Sequence, residues 1–228
     1  MAAPAAPLQG SVIIGITGGI GAGKSSAAKH LVKSLDALLL DADAIVGELL
    51  QAPQILADIE VALESTVTTG AGSVDRAMLS ALIFHDDKAR AKVERILHPA
   101  VRQRIWQALA DYELEKPGGV AILDIPLLRE AGLDHVCDRV LHVAVLGAER
   151  CRRACSRHGW TEAQWQSRED AQMPVDRKEA LADAIVHNDA GPAALLTQVH
   201  VVAESFRCLA PRPLSERWPS WDNIPTST

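Results

Sequence analysis

The sequence predicts an α/β fold in which parallel strands alternate with helices, and three observations carry that expectation. Short apolar runs suited to strands recur at residues 12–17, 37–40, 120–124, 139–145 and 184–187, and the first, rich in β-branched residues, suits a strand covered on both faces. Stretches with apolar residues at helical spacing separate them. A glycine-rich turn, GGIGAG at 18–23, joins the first run to the first helical stretch. Strands separated by helices imply parallel strands joined by right-handed crossovers, and such sheets bind ligands beyond the carboxyl ends of their strands.

The elements follow in order. Residues 1–10, MAAPAAPLQG, are Ala/Pro-rich and read as a disordered tail. The first strand and its glycine turn lead into a helix to about Leu35. The second strand ends in Asp41-Ala-Asp43. Helical spacing from Ile45 to Leu63 is broken near Pro53, and STVTTGAG at 65–72 is a loop. Ser73 and Asp75 look like the entry to another helix. A helix over 87–97 should stop at His98-Pro99, because the residue before a proline avoids the helical region. Another helix should run over 100–115. Pro117-Gly-Gly119 is a turn before the third strand, which continues into Ile125-Pro-Leu-Leu128.

After the fourth strand comes an Arg-rich helix over 148–157. Thr161-Glu-Ala-Gln164 then has the form of a capping box opening a helix to about Gln172. The last strand is closed by Asn188-Asp-Ala-Gly191, and a helix over 192–208 packs back. Residues 209–228 hold four prolines with Trp218 and Trp221, and read as a disordered or surface tail. The helical region between the second and third strands is too long for a simple crossover, so it should form a separate subdomain. This gives a core of 11–44 and 118–208, with a lid at about 150–175, and a helical domain over 45–117.

Composition narrows the function. The chain has 228 residues, 48% hydrophobic and 23% charged, enough for one substantial core with an appendage. Net charge is −6 and no dense Lys/Arg block occurs, which argues against a nucleic-acid partner. Arg150, Arg152, Arg153, Arg157 and Arg168 form a local group that suits phosphate chemistry better. Four cysteines give neither a disulfide framework nor zinc spacing. No apolar run reaches membrane length and the N-terminus lacks a signal design, so a soluble cytoplasmic protein is expected.

The glycine turn carries the strongest chemical signal. Gly18 to Ser25 fits G-x-x-x-x-G-K-[ST] in its proper setting of strand, loop and helix. A loop that wraps a triphosphate must turn backbone N–H groups inward, through angles that residues with a Cβ resist. Gly19, Ile20, Gly21, Ala22, Gly23, Lys24, Ser25 and Ser26 are therefore expected to hold ATP. Lys24 should reach the β- and γ-phosphates, and the Ser25 hydroxyl should ligate Mg²⁺. The following helix adds its unpaired N–H groups and positive dipole end.

Phosphoryl transfer to an alcohol also needs a group that orients the hydroxyl and takes its proton. Asp43 is the candidate, with Asp41 alternatively a helix cap. Asp124 has the form of a Walker B acid; it could bind Mg²⁺ through water, bind substrate, or be a strand-end acid satisfied by neighbouring N–H groups. Arg153, Arg157 and Arg168 flank a Gly-containing turn, as lid arginines do, and closure of a lid excludes water. They could instead pair with Glu149, Glu162 and Glu169 on the surface. His98 alone reads best as a helix-end feature.

At these residues the chain resembles the dephospho-CoA kinase family. The matching segments are Gly15 to Ser25, Asp41-Ala-Asp43, Asp75-Arg76 with Leu79 and Phe84, Ile96-Leu-His-Pro99, Asp124-Ile-Pro-Leu-Leu128 with Glu130, Arg153 with Arg157, Gln172, Ala182-Asp183 and Asn188-Asp189. They run in family order over about 11–205. The resemblance implies a three-layer P-loop core with a five-stranded parallel sheet, a helical CoA-binding domain and a small lid. It implies transfer of the ATP γ-phosphate to the ribose 3′-hydroxyl of dephospho-CoA. In that reading Asp43 is the general base, and Lys24 and Arg153 are catalytic. Arg157 holds phosphates and Asn188 lies near the adenine. His98, Pro126, Leu127, Leu128 and Glu130, with Asp43 and Asp124, contact dephospho-CoA. Arg129 departs from the family, which usually has an apolar or aromatic residue before the glutamate. A nucleoside or nucleotide kinase would share the glycine loop and lid, but the D-A-D and L-H-P segments argue against one. A GTPase switch would read guanine with N-K-x-D, which Asn188-Asp-Ala-Gly191 does not fit.

Overall fold

A computed structural model describes residues 10–70 and 72–218, and not the side chains of Phe84 and His85. The tails expected at 1–9 and 219–228 lie outside the described residues. The chain divides into two compact units, one formed by the segments up to Leu40 and from Leu109, the other by Asp41–Ala108.

In the first unit, strand β1 (Val12–Thr17) is buried at all six residues. The Gly18–Gly23 turn leads into helix α1 (Lys24–Leu35), which buries Ala27, Ala28, Leu31 and Leu35 along one stripe. Strand β2 (Leu38–Asp41) follows. After the second unit come β3 (Val120–Asp124) and β4 (Arg139–Ala144). The sheet order is β2-β3-β1-β4, closed by the last strand, and β1 pairs in parallel with both β3 and β4. The register sets Ile16 beside Asp124 and Thr17 beside His142, so these residues share the carboxyl edge where β1 opens into the glycine turn.

The second unit holds α2 (Ala42–Leu49), α3 (Pro53–Leu63), α4 (Arg76–His85) and most of α5 (Asp87–Glu115). Its own core joins Leu50, Leu56, Ile59, Val67, Leu79, Val93 and Leu97. Pro53 opens α3 at the position where a missing N–H costs nothing. Asp75 caps α4, accepting from the Met78 amide at 2.9 Å. The expected break at His98-Pro99 does not occur, and α5 passes through it. Pro99 cannot donate to the Arg95 carbonyl one turn back, and Arg95, His98 and Pro99 are all exposed residues.

The first unit continues with α6 (Gly147–His158) and α7 (Glu162–Asp170), which opens with the expected capping box at Thr161 and Gln164. The α7 helix ends two residues short of Gln172, and a further short helix, α8 (Val175–Ala180), follows. Strand β5 (Ala184–His187) pairs in parallel with β4, and α9 (Pro192–Phe206) packs beside α1. One sheet face, with Val12, Ile14, Ile16, Ile122, Leu141, Val143 and Val186, packs on α1 and on Leu195, Val199, Ala203 and Phe206 of α9. Each fully buried isoleucine or leucine here contributes about 1.5–3 kcal/mol.

Residues 209–218 are not a loose tail. Ser11 and Arg212 form an antiparallel bridge. Arg217 is buried and donates to the Ser11 carbonyl at 2.6 Å and to Asp138 at 2.5 Å. The same carboxylate accepts from Arg212 and from the Ile13 amide, each at 2.7 Å. A proline-rich composition hid this because the segment is fixed by long-range ion pairs rather than by its own periodicity.

Candidate functional site

The glycine turn is fixed by backbone angles and close approach. Gly21 and Gly23 lie in the left-handed region, at φ 85° and 88°. A Cβ on Gly21 would run into the backbone of Arg150, and one on Gly23 into the Asn188 side-chain amide. The Lys24 ammonium donates to the Gly18 and Gly19 carbonyls at 3.1 Å each, folding it back over the loop. Asn188 donates to the Ala22 carbonyl at 2.9 Å and so braces the turn from the end of β5. No side chain caps α1, whose first residues include the exposed hydroxyls of Ser25 and Ser26. The arrangement offers inward amides, a lysine and a helix N-terminus to an anion.

The arginines divide. Arg153 pairs with Glu149 at 2.7 Å and donates to the Asn188 carbonyl at 2.8 Å. Hydrogen bonds from Arg152 and Arg153 hold the Glu149 carboxyl down at about 2. The ion-pair alternative therefore describes Arg153 in this state, while Arg157 is exposed. Arg168 lies over the Trp160 ring, 4.3 Å from its centroid, and donates to the Gln164 carbonyl. Arg150 is different: it is buried, its guanidinium rests against Gly19, and it pairs with Glu169. Glu169 in turn accepts from the Ile20 amide at 3.1 Å.

The segment after β3 is built from side chains. Asp124 is buried at the strand end. Pro126 is half-buried and Leu127 exposed, and both stay available. Leu128 is fully buried and fills the space left by the missing Cβ of Gly15, so its side chain packs in the core. Glu130 also points inward, accepting from the Met173 amide at 3.0 Å and pairing at 3.1 Å with Lys178, which is fully buried and also bonds Gln172 at 2.9 Å. Burial raises the Glu130 carboxyl, but bonds from its own amide, Met173 and Lys178 outweigh that and leave it below the usual range.

In the second unit, Asp41 caps α2 by accepting from the Asp43 and Ala44 amides, at 2.9 and 3.1 Å. Asp43 stands exposed in the first turn of that helix, and His98 is exposed within α5. Capping occupies one carboxylate of the pair, which leaves the other for chemistry.

Sequence reasoning grouped Arg150 with its neighbours but did not separate it. Its spacing of four from the buried Ala154 was the available signal. Lys178 and His142 were missed, since nothing local marks a lysine or histidine as interior. His142 is fully buried, and burial pushes its imidazole down to about 4 against the opposing pull of Glu179.

A family model described as dephospho-CoA kinase matches residues 12–193. A dephospho-CoA kinase of Bacillus cereus is 32% identical over 201 residues, covering 87% of this chain and 99% of that one. One of Prochlorococcus marinus is 36% identical, covering 82% and 92%. Among solved structures, a Thermus thermophilus protein superimposes with a TM-score of 0.71 at 31% identity, covering 86% of this chain and 98% of the other. A dephospho-CoA kinase from Campylobacter jejuni shares the fold, with a TM-score of 0.61 at 20% identity over 86% and 97%. Among the described residues no helix is long and apolar enough to cross a membrane, and no cluster of three or more His, Cys, Asp or Glu could hold a metal ion.

Proposed function

The chain belongs to the dephospho-CoA kinase family, and from that premise we propose how its own residues carry out the transfer. The enzyme moves the γ-phosphate of ATP to the ribose 3′-hydroxyl of dephospho-CoA, giving CoA. The amides of Gly19 to Ser26 cradle the phosphates, and Lys24 swings from the Gly18 and Gly19 carbonyls to the β- and γ-oxygens. Asp43 takes the proton of the 3′-hydroxyl as the new P–O bond forms, while the bond from the γ-phosphorus to the bridging oxygen of ADP breaks. Its support is the division of labour at the end of β2, where Asp41 is occupied as a cap and Asp43 is exposed.

Arg153 and Arg157 neutralise phosphate charge once the lid closes, and Asn188, which already touches the loop, borders the adenine. Asp124, Pro126, Leu127 and His98 contact dephospho-CoA in this reading, and Glu130 acts on it through the loop it holds. The helical domain expected over 45–117, most of which falls in the compact unit Asp41–Ala108, binds CoA in this reading. The hydroxyl of Ser25 and the carboxylate of Asp124 are hard oxygen donors, which suits Mg²⁺. When bound there, Mg²⁺ supplies neutralisation of phosphate charge. The protein acts in the cytoplasm, without nucleic acid or membrane as partner.

The observation that carries the proposal is the glycine turn closed on Lys24 directly after a central parallel strand. Purified protein given ATP, Mg²⁺ and dephospho-CoA should yield a product heavier by one phosphoryl group and identical to CoA. A nucleoside panel phosphorylated in preference would overturn the reading.

A further inference from the structure

Arg150 and Glu169 form an anion site that is already built and already filled, by a side chain. The Glu169 carboxylate bridges two donors: the Ile20 amide of the glycine loop and the Arg150 guanidinium. Both side chains are nearly buried, at 8% and 12% exposure. The guanidinium is held in place from other directions, by the Val145 carbonyl at 3.2 Å and by the Trp165 ring, 5.5 Å away at its centroid. It lies so close to Gly19 that a side chain there would collide with it. The backbone of Arg150 likewise abuts Gly21. Of the arginines on α6, this one is pressed against the loop, whereas Arg153 is turned to Glu149 and Asn188.

A loop amide and a fixed guanidinium, together donating to one carboxylate, make the donor set that a phosphoryl oxygen needs. A carboxylate bridging them occupies the place of an anion. We propose that the terminal phosphoryl group of ATP displaces Glu169 from between Ile20 and Arg150, so that Arg150 is a further phosphate-contacting residue of the transfer and Glu169 its gate. This rests on the kinase reading above. No bond is made or broken in the exchange: one anion replaces another, and the released carboxylate on α7 returns to solvent. The exchange lowers affinity for a triphosphate by the cost of breaking the resident pair, which makes the gate a brake on nucleotide binding in the free enzyme.

A purely structural ion pair predicts the opposite pattern, and the two readings separate in a double-mutant cycle. Removing one partner of a buried pair leaves an uncompensated charge, whereas removing both is often neutral. The cycle uses Arg150→Met, Glu169→Gln and the double variant. It measures turnover with ATP and dephospho-CoA, and affinity for a non-hydrolysable ATP analogue and for ADP. The expected results are opposite in sign. Glu169→Gln tightens the ATP analogue by about 3–10-fold. Arg150→Met weakens it more than it weakens ADP, and lowers turnover about 10²–10³-fold. The double variant stays as slow as Arg150→Met. Recovery of turnover in the double variant, or weakened analogue binding in both single variants, would overturn the proposal. Should Arg150→Met not fold, the double variant leaves no buried lone charge and decides the matter by its turnover. Wild-type protein inactive on dephospho-CoA would refute the kinase reading instead, which keeps the two failures apart.

Discussion

The loops after β1 and β3 leave neighbouring strands at the same edge of the sheet and are built in opposite ways. The first is a backbone structure. Its shape comes from positive φ at Gly21 and Gly23, and its lysine is held by two carbonyls. The second is a side-chain structure. Leu128 is sunk in the core under Gly15, and Glu130 is held by a buried lysine and a distant amide. The difference teaches which residues of a ligand-binding edge are free for a ligand. In a backbone-built loop the amides remain donors and side chains stay clear. In a side-chain-built loop, residues that look like contacts are taken up in holding the loop.

The largest effect that would break the comparison is at Lys24. Lys24→Met should lower turnover about 10²–10³-fold, as loss of a donor to the transferring group does, with little change in melting temperature. Steady-state kinetics beside thermal denaturation checks this, and a large stability loss would mean that the lysine holds the loop as Lys178 holds its neighbour.

Lys178→Met should show the converse. Leaving Glu130 and Gln172 without their partner should destabilise the fold by about 3–5 kcal/mol and raise KM for dephospho-CoA more than KM for ATP. Pairing it with Glu130→Gln should restore much of the stability, measured by denaturant titration. Equal rises in both KM values would remove the special link to the loop after β3.

A smaller loss is expected away from both loops. Arg217→Leu leaves Asp138 with Arg212 and the Ile13 amide, so the cost should be about 1–3 kcal/mol with unchanged KM values. Normal stability after this change would mean that the segment over 209–218 contributes nothing to the core.

A further effect runs through pH. The unfolded chain's imidazole takes a proton near 6.5, while burial holds that of His142 at about 4 in the folded state. Between those values the unfolded state binds more protons, so stability falls as pH falls through this window and is complete above it. His142→Leu should flatten the dependence of denaturation midpoint on pH between 6.5 and 4. An unchanged slope would assign it to other groups.

Much of this was legible in the sequence for a physical reason. Glycine spacing, the five apolar runs and the capping box at Thr161 are local statements that chain geometry must honour. The family likeness carried the reaction. What escaped was non-local. Pro99 could not announce that the helix would pass through it, nor could the proline-rich 209–218 stretch announce its pairing with Asp138. The packing of Leu128 on Gly15 and the pairing of Glu130 with Lys178 were hidden because those partners are distant in the chain. That Arg150 is buried against the glycine loop while Arg153 turns to Glu149 and Asn188 is a matter of packing, which two arginines one turn apart do not reveal in sequence.

The most direct test of the account is rapid-quench kinetics of Asp43→Asn at saturating ATP and dephospho-CoA. The swap keeps the shape of the side chain and removes its basicity. Phosphoryl transfer should slow by about 10²–10⁴-fold, the usual scale for loss of a general base, with ATP affinity retained. Transfer at the wild-type rate would contradict the role given to this carboxylate.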